Sequence, residues 1–391
     1  MGQKYSETVK DMNLNTIYHL IRKGKDVSRA SLVKDTGLSA TSIGRSVGEL
    51  IENGFIEERN QIRGNIGRQP IMLSVVSDSI LVVGVNITSD RVLGSCIDVT
   101  GAILCRAEAP LMGTSVPVVV EAVKAAIDSV LSQLPDALRQ HIVGVGISVP
   151  CGANFQTGKV VHCCSLGWND VNLAEILGYY YPWPLVVDDY TKGVAKAFYY
   201  LGFYGGNYHD FLVWNLGDEL NIAQMTGGRI YRGKDNLCGD IGNIVVEPNG
   251  VAYDRGPRGC LNALVGKRSL ERRLSMSFAE ALEQYRQGAF GRVIEVEKAL
   301  DTLSEWMAVL MVMFCPPVMI LSGSMIDESK LLYDLLKFRF SRYMGNEDEA
   351  VASQIVCSPI EGKRLQYISP AMNVLYKMVI HGKEVQIQVN D

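Results

Sequence analysis

The amino-acid sequence predicts an N-terminal winged helix-turn-helix domain, helical with a β-wing, followed by a two-lobed α/β domain. Near the start of the chain, two short helical segments meet at a glycine turn and precede two short strands. Strand and helix patterns then alternate through the remainder, as in α/β proteins. The chain has 391 residues, too many for one ordinary hydrophobic core, so more than one domain is expected.

The two parts differ in net charge. The whole chain has a formal net charge of −4, with 47% hydrophobic and 20% charged residues, which is typical of a globular protein. Residues 1–75 contain 11 Lys and Arg against 8 Asp and Glu, so this part is basic and the remainder is acidic. A basic N-terminal part suits a domain that binds the phosphates of a nucleic acid.

The sequence predicts a cytoplasmic protein with no membrane contact. The first residues lack the apolar core of a secretory signal. The longest apolar run, residues 306–321, is interrupted by Pro316 and Pro317 and is too short to span a bilayer. The nine cysteines include no Cys-x-x-Cys pair, which favours a reducing compartment.

Three helices are predicted in the N-terminal domain. The first covers residues 9–24, and the second ends near Gly37, which can adopt the left-handed conformation that a tight turn requires. Ser39 can cap the third helix by accepting a hydrogen bond from a backbone N–H. The apolar residues of this third helix recur at helical spacing and form one stripe, Ile43, Val47, Leu50 and Ile51.

The opposite face of the third helix is polar, which predicts contact with double-stranded DNA. Hydroxyl and guanidinium groups donate hydrogen bonds to phosphates and base edges. The loop between predicted strands at residues 55–59 and 71–73 forms a wing over the minor groove. A purely structural three-helix domain is the alternative. The residues predicted to bind DNA are Ser39, Thr41, Ser42, Arg45, Arg63, Asn65, Arg68 and Gln69.

Two groups of strands follow the N-terminal domain. The predicted strands of the first group are residues 80–87, 91–98, 102–107, 142–149 and 185–187, with a helix at 117–134. Those of the second group are 211–216, 221–226, 229–232, 318–321 and 355–358, with helices at 269–315 and 368–379. The predicted domains are therefore residues 1–75, a first lobe of 76–195 rejoined by 376–391, and a second lobe of 196–375.

Several motifs, in the same order along the chain, resemble the ROK family of sugar kinases and sugar-responsive repressors. They include Val143–Pro150, Gly167-Trp168-Asn169-Asp170, Gly239-Asp240-Ile241-Gly242-Asn243, Gly256–Leu261 and, in the N-terminal domain, Gly67-Arg68-Gln69-Pro70. The resemblance covers essentially the whole chain. It implies an actin-like fold for the two lobes and a homodimer or tetramer that binds a DNA operator.

The kinase motifs of the family are degenerate here. The resemblance places the catalytic base at Tyr190, and a phenol is a poor base at neutral pH. A shifted register that uses Asp189 is the alternative. The phosphate-binding loops also lack their glycines, and Asp218 and Glu219 place negative charge where phosphates would bind. We therefore expect no ATP binding and no catalytic residues.

The structural zinc of the family is also predicted to be lost. The resemblance places its four ligands at Asn243, Tyr253, Arg255 and Cys260. One thiol among four such side chains cannot complete a tetrahedral zinc site. No metal cofactor is expected.

The resemblance further implies a sugar pocket between the lobes. Its positions are occupied by Asp189, Asp240, Asn243 and Asn262, all short polar residues that can bond hydroxyl groups. Two interpretations are open: an altered effector site for a sugar or sugar derivative, or a vestigial pocket whose polar groups bond to each other or to water.

These observations favour a repressor of carbohydrate uptake or utilisation genes, controlled by a sugar between the lobes. Two alternatives belong to other classes. One is an ATP-dependent sugar kinase with a DNA-binding domain, and the other is a regulator that ignores sugars and is controlled by a protein partner.

Overall fold

The computed structural model describes residues 2–24, 26–60, 71–202, 209–288, 293–344 and 354–381. The predicted fold class is confirmed, with an N-terminal helical domain that carries a small sheet and two α/β lobes. The N-terminal domain contains α1 (Gly2–Lys23), β1 (Val27–Ser28), α2 (Arg29–Thr36), α3 (Ala40–Glu52), β2 (Ile56–Asn60) and β3 (Ile71–Val75). Its strands form an antiparallel sheet in the order β1-β3-β2.

Side-chain caps define the two helices of the helix-turn-helix. The hydroxyl of Ser28 accepts from the Ser31 N–H at 3.2 Å, and the Ser31 hydroxyl accepts from the Ser28 N–H at 2.9 Å. Gly37 ends α2 with φ 70°, as its position in the turn predicted. Ser39 caps α3 by accepting from the Ser42 N–H at 3.1 Å.

The first lobe is a five-stranded mixed sheet in the order β11-β7-β4-β5-β6. Helix α4 packs on one face of this sheet, and helices α7 and α14 pack on the other. A smaller antiparallel sheet, β10-β9-β8, lies beside it. The elements of the lobe are β4 (Leu81–Ile87), β5 (Arg91–Asp98), β6 (Ile103–Pro110), α4 (Val116–Ser132), α5 (Asp136–Arg139), β7 (Ile142–Val149), β8 (Gly152–Asn154), β9 (Lys159–Cys163), β10 (Trp168–Asn172), α6 (Leu173–Gly178), β11 (Leu185–Asp189), α7 (Tyr190–Leu201) and, from the chain end, α14 (Gly362–His381).

The second lobe is built on a five-stranded sheet in the order β14-β13-β12-β15-β16. Its apolar core contains Trp214, Leu300 and Phe340 from the sheet and the helices packed on it. The elements are β12 (Phe211–Leu216), β13 (Leu220–Thr226), β14 (Arg229–Ile230), α8 (Leu261–Val265), α9 (Lys267–Leu274), α10 (Phe278–Arg286), α11 (Val293–Phe314), β15 (Met319–Ser322), α12 (Ser324–Glu328), α13 (Lys330–Tyr343) and β16 (Ile355–Cys357).

Helix α14 returns the chain to the first lobe and packs closely on β7. A Cβ atom on Gly146 would lie 2.0 Å from the carbonyl oxygen of Pro370, so only glycine allows this approach. The predicted domain boundary at residue 375 falls within α14, which contacts the first-lobe sheet, and the boundary at 195 falls within α7. Both helices are continuous across those positions.

The N-terminal domain and the first lobe share one hydrophobic cluster. Ile17 and Ile21 of α1 belong to the same buried group as Ile80 and Val82 of the first lobe. The short connection between the two is hydrogen-bonded on both sides: the Val76 N–H donates to Phe55 O at 2.9 Å, and the Val99 N–H donates to Ser77 O at 3.4 Å. Within the described residues, no helix is long and apolar enough to cross a membrane.

Candidate functional site

The face of α3 that points away from the N-terminal core is exposed. Thr41 and Arg45 are one helical turn apart on this face. Ser39 and Ser42 are also exposed, but their hydroxyl groups bond to each other at 3.0 Å and Ser39 caps the helix. The four predicted DNA-binding residues of α3 therefore share one accessible surface. The four predicted on the wing, Arg63, Asn65, Arg68 and Gln69, lie outside the described residues.

The carboxyl end of β11 places two aspartates where the lobes meet. Asp188 is fully buried and accepts bonds from Lys196 of α7 and, at 2.9 Å, from Nη2 of Arg232 in the second lobe. Burial raises the pKa of Asp188, but attraction to Arg232 and Lys196 outweighs burial and holds the pKa well below its usual range. Asp188 is therefore an ionised anchor between the lobes.

Lys196 connects this anchor to the C-terminal helix. Its ammonium is fully buried, and it also donates to Asn373 Oδ1 on α14 at 2.7 Å. The Nζ atom lies 4.4 Å from the ring centre of Phe155. Burial lowers the pKa of Lys196 to about 7, although Asp188 opposes this shift.

Asp189 occupies the first position of the predicted effector set and caps α7. Its Oδ1 accepts from the Lys192 N–H at 3.0 Å, and 6% of the residue is exposed. Burial raises the pKa of Asp189 to about 6, while Lys192 opposes and Asp240 reinforces the shift. Asp189 therefore differs from Asp188 in having no ion pair within the described part of the chain.

A segment of the second lobe crosses to the first lobe beside these aspartates. Lys192 Nζ donates to the backbone oxygen of Asn236 at 2.9 Å. The Asn236 side chain accepts from Arg232 at 3.2 Å and donates to the backbone oxygen of Ala153. The segment 232–236 is thus fixed to both β8 and α7 of the first lobe.

Asp240 and Asn243, the second and third predicted effector residues, are in direct contact. The amide nitrogen of Asn243 donates to both carboxylate oxygens of Asp240 at 3.0 Å. The amide oxygen of Asn243 is buried and has no hydrogen-bond partner among the described atoms. Because Asp240 also influences the pKa of Asp189, the structure brings these three predicted residues into one neighbourhood.

Asn262, the fourth predicted effector residue, has a different environment. It is 2% exposed, and its side-chain oxygen accepts from the Leu220 N–H at 2.7 Å. A Cβ atom on Gly242 would lie 2.3 Å from that oxygen, so Asn262 packs directly against the loop that carries Asp240 and Asn243. This contact supports the shape of the loop.

Glu219 is a further acidic residue of the same neighbourhood, and sequence reasoning assigned it only to a degenerate phosphate loop. Burial raises the pKa of Glu219 to about 8, with further contributions from Cys163 and Asp240. The sequence also did not reveal the roles of Lys196, Arg232 and Asn236. The one hint in the sequence was the placement of Lys192 and Lys196 one helical turn apart, shortly after two aspartates.

Tyr190 is the residue that the family resemblance places at the position of the catalytic base. Burial, and to a lesser extent Asp327, raises the pKa of its phenol above the ordinary value. The group is therefore even less able to accept a proton at neutral pH than an exposed tyrosine.

The residues that the resemblance places at the family's zinc positions do not fit a zinc ion. Asn243 already donates to Asp240, Arg255 is a cation, and burial raises the pKa of the Tyr253 phenol. Only Cys260 is a common zinc ligand, and it is fully buried. The four positions therefore lack a closed ligand set.

Comparison with known proteins identifies the family. The model of the ROK family matches residues 82–362. The xylose repressor of Bacillus subtilis (strain 168) is 22% identical over 357 residues, which cover 89% of this chain and 92% of that protein. The DNA-binding transcriptional dual regulator NagC of Escherichia coli (strain K12) is 23% identical over 268 residues, which cover 68% of this chain and 66% of that protein.

Solved structures share the fold. A ROK family transcriptional regulator, a homologue of the E. coli MLC protein, aligns with a TM-score of 0.76 at 17% identity and covers 96% of this chain and 98% of its own. A ROK family glucokinase from Streptomyces griseus, in complex with glucose and AMPPNP, aligns with a TM-score of 0.64 at 21% identity and covers 75% of this chain and 98% of its own.

Proposed function

The chain belongs to the ROK family, and on this premise we propose that it is a DNA-binding transcriptional repressor of carbohydrate uptake or utilisation genes. A sugar or sugar derivative between the lobes controls it. The exposed Thr41–Arg45 surface of α3 is the observation that carries the proposal, because it presents donors to a DNA groove. The named repressors among its relatives support the same conclusion.

In this proposal the protein acts in the cytoplasm as a homodimer, or as a tetramer built from dimers. Two α3 helices then enter successive major grooves of a pseudo-palindromic operator, about one helical turn apart. Arg63, Asn65, Arg68 and Gln69 of the wing contact the adjacent minor groove, where narrow A·T-rich sequence concentrates negative potential.

The effector site in this proposal is formed by Asp189, Asp240 and Asn243, with Asn262 holding the loop behind them. Carboxylate and amide groups bond well to sugar hydroxyls. The buried Asn243 oxygen, which lacks a partner among the described atoms, supplies an acceptor for such a hydroxyl. Sugar binding shifts the population between two arrangements of the lobes, and the attached DNA-binding domains move with them.

We further propose that the chain is not an enzyme. Tyr190 replaces the base, and Asp218 repels the phosphates of ATP. One observation favours the kinase alternative: Asp189 has a pKa near 6, which suits a general base. The cap that Asp189 forms with the Lys192 N–H argues against that role, because it occupies one of the carboxylate oxygens.

The DNA-binding part is tested with the Arg45→Ala variant in a gel-shift assay on duplexes that the wild-type protein enriches from a random library. Loss of an arginine contact to a base should weaken specific binding by roughly 5- to 150-fold, equivalent to about 1–3 kcal/mol. Arg139→Ala, which removes a partly exposed cation from the first lobe, is the control and should bind normally. Normal specific binding by Arg45→Ala would remove α3 as the recognition helix.

The effector part is tested by thermal shift with D-xylose, N-acetyl-D-glucosamine and their phosphorylated forms. A ligand that binds only the folded state must raise its stability. Asp240→Ala should abolish any shift that occurs. If no sugar in a broad panel stabilises the protein, the pocket is vestigial and control by a protein partner becomes the better explanation.

A further inference from the structure

Helix α7 connects the effector neighbourhood to the DNA-binding domain. Its first turn contains Asp189 as the cap and Lys192, which bonds to Asn236 of the second lobe. Its last turn contains Tyr199 and Tyr200, which contact α1 of the N-terminal domain. The 12 residues of α7 span about 18 Å at 1.5 Å per residue.

The contact between α7 and α1 is made by cations and aromatic rings. Arg22 Cζ lies 3.6 Å from the ring centre of Tyr200, and Lys23 Nζ lies 4.9 Å from that of Tyr199. The ring of His19 meets Tyr200 edge-on, with 6.4 Å between centroids. These contacts depend on the position of each charge over a ring, so a small displacement of α7 changes them.

Few directional bonds hold these groups in place. Nε and Nη2 of Arg22 and Nδ1 of His19 are buried and have no hydrogen-bond partner among the described atoms. Arg22 also has no ion pair within the described residues. A guanidinium held mainly by stacking can settle in a second arrangement without breaking a set of specific hydrogen bonds.

Helix α1 in turn supports the recognition helix. Ile17 and Ile21 of α1 share a buried cluster with Ile43 and Val47 of α3. A shift of α1 therefore changes the position of α3 and of its exposed face. The hydrogen-bonded connection at residues 76–79 keeps the N-terminal domain on the first lobe during such a shift.

We propose that α7 couples the effector site to the DNA-binding domain. A sugar that contacts the first turn of α7 displaces this helix, and the displacement changes how Tyr199 and Tyr200 stack on Arg22 and Lys23 of α1. The sugar-dependent step rests on the proposed function, whereas the mechanical link between the two ends of α7 does not. The two parts are therefore tested separately.

The first experiment uses the ligand-free full chain and needs neither sugar nor DNA. Lys192→Met removes the bond to Asn236 at the effector end of α7 and leaves α1 untouched. Hydrogen exchange of the α1 peptide, residues 14–23, should become about 5-fold faster or more, the lower end of ordinary coupling between sites. Lys267→Met is the control, because it removes an ion pair between two residues of the second lobe, Lys267 and Glu328.

Equal exchange of the α1 peptide in Lys192→Met and wild type would overturn the proposed link. If Lys192→Met fails to fold, Asn236→Gly replaces it. Asn236 has φ 63°, a conformation that glycine adopts without strain, and the variant removes the side-chain bonds that fix segment 232–236. As for Lys192→Met, faster exchange of the α1 peptide is expected, and exchange equal to that of wild type would overturn the proposed link.

The second experiment compares DNA affinity with and without saturating D-xylose or N-acetyl-D-glucosamine, on the duplex enriched by wild type. In wild type, at least one of the two sugars should change the affinity for DNA by about 5-fold or more. Arg22→Met should still bind sugar and DNA, but the sugar should change its DNA affinity less than about twofold. Lys124→Met is the matched control, because it removes a cation over Tyr180, at 4.1 Å, on the first lobe away from α1.

A full sugar response in Arg22→Met would overturn the role of the α1–α7 contact. A wild-type protein that responds to no sugar would instead count against the proposed effector, while the exchange experiment would still decide whether the two ends of α7 are linked.

Discussion

Asp188 and Asp189 are consecutive residues at the end of β11, yet their pKa values move in opposite directions. Both are buried. The pKa of Asp188 lies well below its usual range because Arg232 and Lys196 outweigh burial, whereas burial raises that of Asp189 to about 6. Asp188 thus holds the lobes together, whereas Asp189 caps α7 and has no ion pair among the described residues.

The role of Asp188 predicts a large loss of stability in Asp188→Asn. This variant leaves Lys196 buried without its charge partner, which should reduce the free energy of unfolding by about 3–5 kcal/mol. Urea denaturation measures the change. In the double variant Asp188→Asn/Lys196→Met the loss should be smaller than the sum of the single losses, and strict additivity would show that the pair does not interact.

Because the pKa of Glu219 is raised, we expect the free energy of unfolding to decrease as the pH rises. Its pKa is about 8 in the folded protein and about 4.5 when unfolded, so below pH 4.5 both states are protonated and the contribution is complete. Between pH 4.5 and 8 the unfolded chain releases a proton that the folded chain keeps, and stability falls by up to about 1.4 kcal/mol per pH unit. Glu219→Gln should be more stable than wild type at pH 8, and the difference should shrink at pH 5.

Chemical denaturation at the two pH values measures this effect. Glu361→Gln changes an exposed carboxylate and should follow wild type at both values. An equal stability difference between Glu219→Gln and wild type at pH 5 and pH 8 would contradict the assignment of Glu219 as a buried acid.

For His19 we expect the opposite pH dependence: the free energy of unfolding should decrease as the pH falls. Burial, with Arg22 and Lys23, lowers the pKa of His19 to about 3, against about 6.5 in the unfolded chain. As pH falls from 6.5 to 3, the unfolded state binds a proton that the folded state excludes, so stability is lost. His19→Phe should reduce the slope of the free energy of unfolding against pH in this range, as measured by urea denaturation.

Helix α3, the proposed recognition helix, contains two glycines at positions where the fold would tolerate a larger side chain. A Cβ atom on Gly44 or Gly48 would meet nothing within 4 Å, and glycine inside a helix is less stable than alanine by about 0.5–1 kcal/mol. Both lie on the side of α3 that carries Thr41 and Arg45. Gly44→Ala should therefore raise the melting temperature and weaken binding to the enriched duplex. A stability gain with unchanged DNA affinity would show that DNA does not approach α3 at this glycine.

Sequence periodicity predicted the main strands and helices because each has a local pattern of burial. The small sheet of β8, β9 and β10 was missed, since its strands are short and separated by turns with Asn and Gly. The partners of Asp188 could not be found from sequence, because Arg232 lies 44 residues away and meets it only where the lobes join. The support that Asn262 gives to Leu220 likewise depends on tertiary packing.

The interlobe site predicts that restoring the base alone does not create a kinase. In Tyr190→Asp a carboxylate replaces the phenol, but Asp218 remains at the loop that the resemblance assigns to phosphates. Neither wild type nor Tyr190→Asp should turn over ATP in a coupled assay with a sugar panel, and ATP should not raise the melting temperature of either. A ROK glucokinase assayed in parallel is the positive control. Turnover by the wild-type chain would instead assign the base to Asp189, and Asp189→Asn would then have to abolish it.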